Sequence, residues 1–476
     1  MDNETWKNPI RRFGESAFGK LLMLGFLLLL LLLPVARITA LVHERMSRQA
    51  QVASEITANW GRSQSLTGPV LSIPVWLAPP EEAEAAAGGG WVPAVEEAAL
   101  DGAARKADDP APVWRRHMVH VLPQEINWRG SLEPDVRYRG LFEVVVYEAR
   151  IQASGTFEIP SVAGAGARPD WSALQLNLGI SDVRGLQQRV ELQWDGEELE
   201  FQPGAPRTAG ISGGIHAELP ELAAAQAEPG TLVPFAFELV LRGSGELLVQ
   251  PLGESTHVEL AGPWTSPGFV GAFLPTERQI DDDGFTAVWQ VPNFGRDFPQ
   301  LWWNDVVNGQ ELAAAGFGVE LVLPADAYQQ TERSVKYAVL FIVLTFGTFF
   351  LLELLSPVRL HAVQYLLIGF AQSLFYVLLL ALAEHLGFGP AYALAAAATV
   401  GLIAVYSHSI LAGRRPALAV FGCLGLLYGY LYILLQLEDY ALLVGALGLF
   451  AALAALMLAT RKLDWFTLRF EGAAQR

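Results

Sequence analysis

The sequence predicts an α-helical membrane protein of six transmembrane helices, with a large, mostly β extracytoplasmic domain inserted between the first and the second. Three observations predict it. An apolar run at the front, from Phe18 to Ala36, holds Leu27 to Leu33 without a break. Five more apolar runs close the chain: Tyr337 to Leu355, Val363 to Ala383, Pro390 to Leu411, Leu418 to Leu435 and Tyr440 to Thr460. Between them, residues 37–336 carry most of the charge and only short alternating runs. Each long run is close to the ~20 residues that a hydrocarbon core of ~30 Å requires of a spanning helix.

The tails, residues 1–17 and 461–476, set the orientation. Lys7, Arg11 and Arg12 precede the first run, which itself starts with Lys20, and Arg461, Lys462 and Arg469 follow the last. Short basic segments stay in the cytoplasm, so both termini are expected there. With six spans, the loops at Arg359 and at Arg414 and Arg415 fall on that side. The loops at Glu384/His385 and Glu438/Asp439 fall outside and carry no lysine or arginine. Arg37, Arg45, Arg48, Arg333 and Lys336 lie on the outer side and weaken the pattern without reversing it. The first run has the basic start of a signal peptide, yet it exceeds the roughly 7–15 apolar residues of a signal core. It also leads through Pro34 to Ala40 into a further helical pattern, so an uncleaved anchor is expected.

The outer domain, residues 37–336, holds 21 basic and 40 acidic residues, a net of −19 against −17 for the whole chain. Such a surface repels nucleic acid and anionic lipid, and a partner drawn by bulk charge would be basic or metal-rich. Cys423 is the single cysteine and lies in the fifth span. Thiol nucleophiles, disulfide exchange and thiolate metal sites are thereby excluded from the outer domain. Its fold must rest on an apolar core, which ~300 residues can supply.

Within that domain, Ile38 to Asn59 continues the first helix as a largely polar stalk. Thr67 to Trp76 reads as a strand entered by a Gly-Pro turn, with Trp114 to Leu122 returning as its partner. Pro79 to Pro112, rich in Ala, Glu, Gly and Pro, reads as an inserted loop. Alternating runs then recur at Leu141–Tyr147, Leu174–Leu178, Val190–Trp194, Phe235–Leu241, Leu247–Gln250, Val258–Leu260, Phe285–Val291 and Val319–Leu323. Asp195-Gly196 and Asp283-Gly284 mark turns between them, which suits sandwiches or a barrel-like sheet, in one domain or two.

Motifs with chemistry are few. Gly14 to Lys20 has the spacing of a phosphate loop, but Leu21 stands where magnesium needs Ser or Thr, and no strand precedes it. Gly210-Ile-Ser212-Gly-Gly214 spells a nucleophile elbow without a strand before it or a helix after it. His216-Ala-Glu218 lacks the cysteine pair of a zinc deaminase. Asp281 to Asp283 precede Gly284 in a hairpin pattern rather than a calcium loop. No cofactor or metal site is expected, and no enzyme activity. A Ser/Lys dyad stays open in principle, with Lys106 and Lys336 the few lysines outside the membrane.

In the membrane part, Glu353 near the inner end of the second span is a costly carboxylate in lipid. Arg359 or His361 could clasp it, with Gln364 nearby, while Glu384 and His385 close the third span outside. No span carries a charge at mid-depth, which argues against a proton-driven pump. Gly422, Gly425, Gly429, Gly445 and Gly448 suggest close helix packing in the last two spans.

Several segments together resemble the CreD family of inner-membrane proteins, over nearly the full length. They include Gly68-Pro-Val-Leu-Ser-Ile-Pro74, Ser181-Asp-Val-Arg-Gly185, Phe273-Leu-Pro-Thr-Glu-Arg278, Pro324 to Arg333 and Arg359-Leu-His-Ala-Val-Gln-Tyr365. Ala381 to Phe388, Ala441 to Gly445 and Thr460 to Trp465 add to them. The resemblance implies an inner-membrane protein of Gram-negative type, under a two-component system and tied to envelope integrity, colicin tolerance and β-lactam response. It implies no enzyme activity. The expected function is therefore support of cell envelope integrity or stress response, through an envelope protein partner and the lipid bilayer, without nucleic acid. The alternative is a transporter or lipid-handling protein using the C-terminal bundle. The junction residues expected to matter are Arg333, Lys336, Glu353, Arg359, His361, Gln364, Glu384 and His385.

Overall fold

A computed structural model describes residues 17–78, 114–162, 166–205, 210–219, 228–323, 327–355, 359–411, 414–437 and 440–461. The Pro79 to Pro112 insert, most of both tails and Lys106 lie outside the described residues. The chain forms two compact units, Val52–Pro324 and the combination of Met1–Gln51 with Ala325–Arg476.

The first unit is a two-sheet β structure. One sheet is organised by strand Gln64–Leu77, which pairs antiparallel with Arg115–Val121 and Gln175–Ile180 and parallel with Glu246–Val249. Gly68 to Val75 are buried without interruption because both faces of this strand are covered. Leu71 and Ile73 belong to the main core, while Val70 points into a smaller one with Leu252, Trp302 and Leu312. The second sheet is built on the hairpin Glu125–Arg139 with Phe142–Glu158, in register from Glu125 opposite Thr156 to Arg139 opposite Phe142. Strands Leu232–Ser244 and Ser255–Gly262 extend it on either side. Its inward residues Trp128, Tyr147, Leu239 and Trp289 share one cluster with Leu66, Leu71 and Ile73 of the first sheet. The main core is shared by both sheets and the β unit is not divided further, which favours one sandwich over two domains.

Local chemistry accounts for the turns. Asp195 and Gly196 both take positive φ, 49° and 88°, as the two-residue hairpin between Glu191–Trp194 and Glu197–Glu200 requires. The Asp281 carboxylate accepts from the amides of Asp283 and Gly284, closing the hairpin Glu277–Asp281 with Gly284–Pro292. Gly210 to Gly214 leads into strand Gly214–Glu218, so the serine motif has a strand after it and no helix. A side chain at Gly214 would strike the Leu178 carbonyl at 2.0 Å. Ser181 to Gly185 is a structural knot: Arg184 clamps the Asp182 carboxylate with two bonds of 2.8 Å. The buried Gln64 amide bonds the carbonyls of Asp182 and Arg242.

In the helical unit the long helices are α1 (Ala17–Trp60, its last turns belonging to the β unit), α4 (Ala338–Leu355), α5 (Ala362–Leu386), α6 (Phe388–Ile410), α7 (Arg414–Gln436) and α8 (Ala441–Thr460). The short helix α2 (Gly309–Ala314) lies in the β unit, and α3 (Ala327–Lys336) meets α4 at a 46° bend at Tyr337. Among the described residues five helices are long and apolar enough to cross a membrane, or six when the bent pair counts as one span. Helix α1 continues through Pro34 for 44 residues, about 66 Å at 1.5 Å per residue. Leu24, Leu27, Leu31, Val35, Ile38 and Val42 bury one stripe of it at spacings of three and four. Leu31 sits where a side chain on Gly369 of α5 would be, 2.2 Å from its Cδ1, with Phe346 of α4 at 3.2 Å. Helix α8 buries no residue and is apolar on every side, as expected of a helix whose solvent is lipid.

The glycine expectation needs correction. A Cβ on Gly422, Gly425 or Gly429 meets nothing within 4 Å, so these α7 glycines are not points of close helix packing. Gly445 and Gly448 of α8 do face Leu434 and Tyr430 of α7.

Candidate functional site

The described ion pairs of the helical unit fall in two clasps, each involving α1 and α5. Lys20 and Arg45 of α1 are 25 residues apart, about 38 Å, while Tyr365 and Glu384 of α5 are 19 apart, about 29 Å. The second separation matches the ~30 Å of a hydrocarbon core and the first exceeds it by about 8 Å.

The first clasp is centred on Glu353 in the last turn of α4, whose side chain is 0% exposed. One carboxylate oxygen accepts from the Lys20 ammonium and, at 3.2 Å, from the Leu360 amide. The other accepts from the Tyr365 hydroxyl at 3.2 Å. Three donors, one of them cationic, offset the desolvation that would otherwise forbid a charge here. The sequence suggested Arg359 or His361 as the clasp. The lysine that reaches Glu353 comes from 333 positions away, on a different helix, which local spacing cannot reveal. Arg359 is exposed beside it. His361 and Gln364 form a capping box for α5: His361 Nδ1 accepts from the Val363 amide at 3.3 Å, and Gln364 accepts from the His361 amide at 2.8 Å.

The second clasp joins four helices. Glu384 accepts from the Tyr328 hydroxyl of α3 at 3.2 Å and pairs with Arg45 of α1 at 3.5 Å. Glu332 of α3 meets Lys336 at 3.1 Å and His43 of α1 at 3.2 Å. Arg333 donates to the Leu437 carbonyl just beyond α7, at 3.2 Å. His385 is exposed in the last turn of α5. Lys20, His43, Arg45, Tyr328, Glu332 and Tyr365 were not foreseen. A charged or phenolic residue near the end of an apolar helix was the available signal.

The β unit holds one arrangement with catalytic overtones. Ser72 Oγ lies 2.9 Å from His120 Nδ1, and Asn177 donates to Ser72 at 2.8 Å. All three are 0% exposed, and the asparagine orients the serine instead of the imidazole. A substrate has no approach, so the trio acts as a buried polar network linking three strands. Among the described residues no group of three His, Cys, Asp or Glu could hold a metal.

These features define a multi-pass membrane protein in which a large β domain separates a first apolar helix from a C-terminal group of them. The chain belongs to the CreD family: the family model described as Inner membrane protein CreD matches residues 16–466. It is 30% identical over 457 residues to Inner membrane protein CreD of Escherichia coli (strain K12), covering 94% of each chain. Family and apolar helices together make it a multi-pass inner membrane protein of the envelope.

Proposed function

We propose that the chain crosses the membrane six times, with α3 and α4 as one bent span, both termini cytoplasmic and the β unit periplasmic. In this reading it is not an enzyme. It supports envelope integrity or the stress response by contacting another envelope protein through the β unit. The observation that carries the reading is the pair of clasps on α1. The same unbroken helix ends in Trp60, whose indole donates to the Tyr147 carbonyl at 3.2 Å and lies under the Arg137 and Arg242 guanidinium groups. The helix that holds Lys20 and Arg45 is therefore the one whose last turns belong to the β unit.

Phe294 and Leu274 are 96% and 75% exposed, in segments that meet where Gly295 faces the Phe273 ring, which suits contact with a protein. A photocrosslinking residue at Phe294 or Leu274 in intact cells should yield a reproducible protein adduct. Adducts with lipid alone would move the function to the C-terminal helices. That second reading, a lipid-handling protein, is favoured by a groove between α6 and α7. A transport mouth at Glu384 is not favoured, because Tyr328 and Arg45 already engage that carboxylate.

A further inference from the structure

Helices α6 and α7 enclose a groove of about 610 Å³, open on its side. Ala393, Ala396 and Ala397 line it on α6, and Gly425 and Gly429 face them on α7. Small residues on adjoining spans ordinarily draw helices together. Here they leave space, for a side chain on Gly425 or Gly429 would touch nothing within 4 Å. Helix α8 meets α7 through Tyr430 and Leu434, which do not line the groove.

The groove's dimensions select its occupant. It runs from Gly389 and Tyr432 at one end to Val400 and Phe421 at the other. Eleven residues of α6 correspond to about 17 Å, one leaflet of a ~30 Å core. Dividing the 610 Å³ volume by that length leaves a section of about 36 Å², some 7 Å across. A hydrocarbon chain about 4 Å thick by carbon–carbon contact fits that section, and a groove one leaflet long matches a single acyl chain rather than a helix that crosses the whole core. The floor is fixed in advance: the Tyr392 hydroxyl donates to the Tyr428 carbonyl at 2.6 Å. Phe375 of α5 packs behind both rings, with centroids at 5.5 and 4.8 Å. Tyr432 stands at the end nearer the α6 N-terminus, where phenol hydroxyls meet the membrane interface.

We propose that this groove is a binding site for one acyl chain of a bilayer phospholipid. Its assignment to the outer leaflet rests on the orientation proposed above. A preformed wall lets the chain sit longer there than on the convex surface of α8, since no conformational ordering of the protein accompanies binding.

The test uses the full-length protein in vesicles of phosphatidylethanolamine and phosphatidylglycerol, doped with phosphatidylethanolamine carrying a diazirine in its acyl chain. Adducts are mapped by mass spectrometry. Labelling on the α6–α7 groove should exceed labelling at the exposed Leu442 and Leu453 of α8 by about tenfold, equivalent to about 1.4 kcal/mol. The double variant Gly425→Leu/Gly429→Leu should reduce groove labelling to the α8 level. Gly401→Leu, at an equally open glycine off the groove, should leave it unchanged. A melting scan reports folding, and Ala396→Phe on the facing helix repeats the test if the pair fails to fold. Equal labelling of groove and α8, or groove labelling indifferent to the filling variants, would overturn the proposal. So would crosslinks between two copies of the chain through groove residues when a protein crosslinker replaces the lipid probe in the same vesicles. The adducts are read whichever way the chain is inserted, so their failure leaves the topology and the partner reading standing.

Discussion

At the scale of single residues, Glu353 carries the most consequence. The sequence marked it as an expensive carboxylate in lipid, but its partner had to come from the fold, because Lys20 lies on the first helix and Glu353 on α4. Breaking a buried pair from one side leaves the other charge stranded. Glu353→Gln should therefore lower stability by about 3 kcal/mol, and Lys20→Met/Glu353→Leu should recover most of it. Thermal denaturation in detergent checks this, and additive losses in the double variant would show that the two groups do not act as a pair. In cells, Glu353→Ala at normal expression should weaken envelope tolerance. Asp182 gives a second residue-level expectation. The Arg184 side-chain hydrogen bonds, aided by the Arg62 and Arg184 amides, hold its carboxyl below the usual range against the opposing effect of burial. A carboxylate held low stabilises the fold fully above its ordinary value of about 4 and loses that contribution as pH falls through the lowered value. Asp182→Asn should thus melt earlier at neutral pH, and the gap to the parent should close under acid. A gap constant with pH contradicts the assignment.

At the scale of elements, the apolar helices were legible because length and composition suffice for them. Leu418 to Leu435 was recovered within Arg414–Gln436, and Val363 to Ala383 within Ala362–Leu386. The bend at Tyr337 was not legible, since neither proline nor glycine marks it. Ten of the eighteen described strands were found, wholly or in part, while short ones such as Gly214–Glu218, Pro267–Gly271 and Glu277–Asp281 were missed, and so was the long Glu125–Arg139. Its inward series Ile126, Trp128, Gly130 and Leu132 is interrupted by glycine and followed by Pro134, which mimics a loop. The glycines of α7 looked like packing contacts because sequence cannot say whether a small residue admits a neighbour or leaves a gap. Gly369 shows the opposite case. Gly369→Val should destabilise the helical unit by about 1–3 kcal/mol through overpacking against Leu31 and Phe346. Adding Leu31→Ala should relieve part of that loss in the same melting assay. No relief would mean that α1 does not dock where Leu31 indicates.

At the scale of the whole molecule, the order of parts was readable from hydropathy alone: one helix, a β domain, then further helices. That the β domain forms one sandwich was not, because its core joins strands from residue 64 to residue 321 and only the fold brings them together. The clasps were half visible: Glu353, Glu384, Arg333 and Lys336 were flagged by position, while Glu332 and the cations of α1 were not. What remains is the side of the membrane on which the sandwich stands. The most direct measurement replaces Tyr138, 66% exposed in the β unit, by cysteine in a Cys423→Ala background. Cells with a permeabilised outer membrane and an intact inner one are then exposed to a membrane-impermeant maleimide. The account predicts full labelling before lysis. Labelling that appears only after the inner membrane is broken would contradict it.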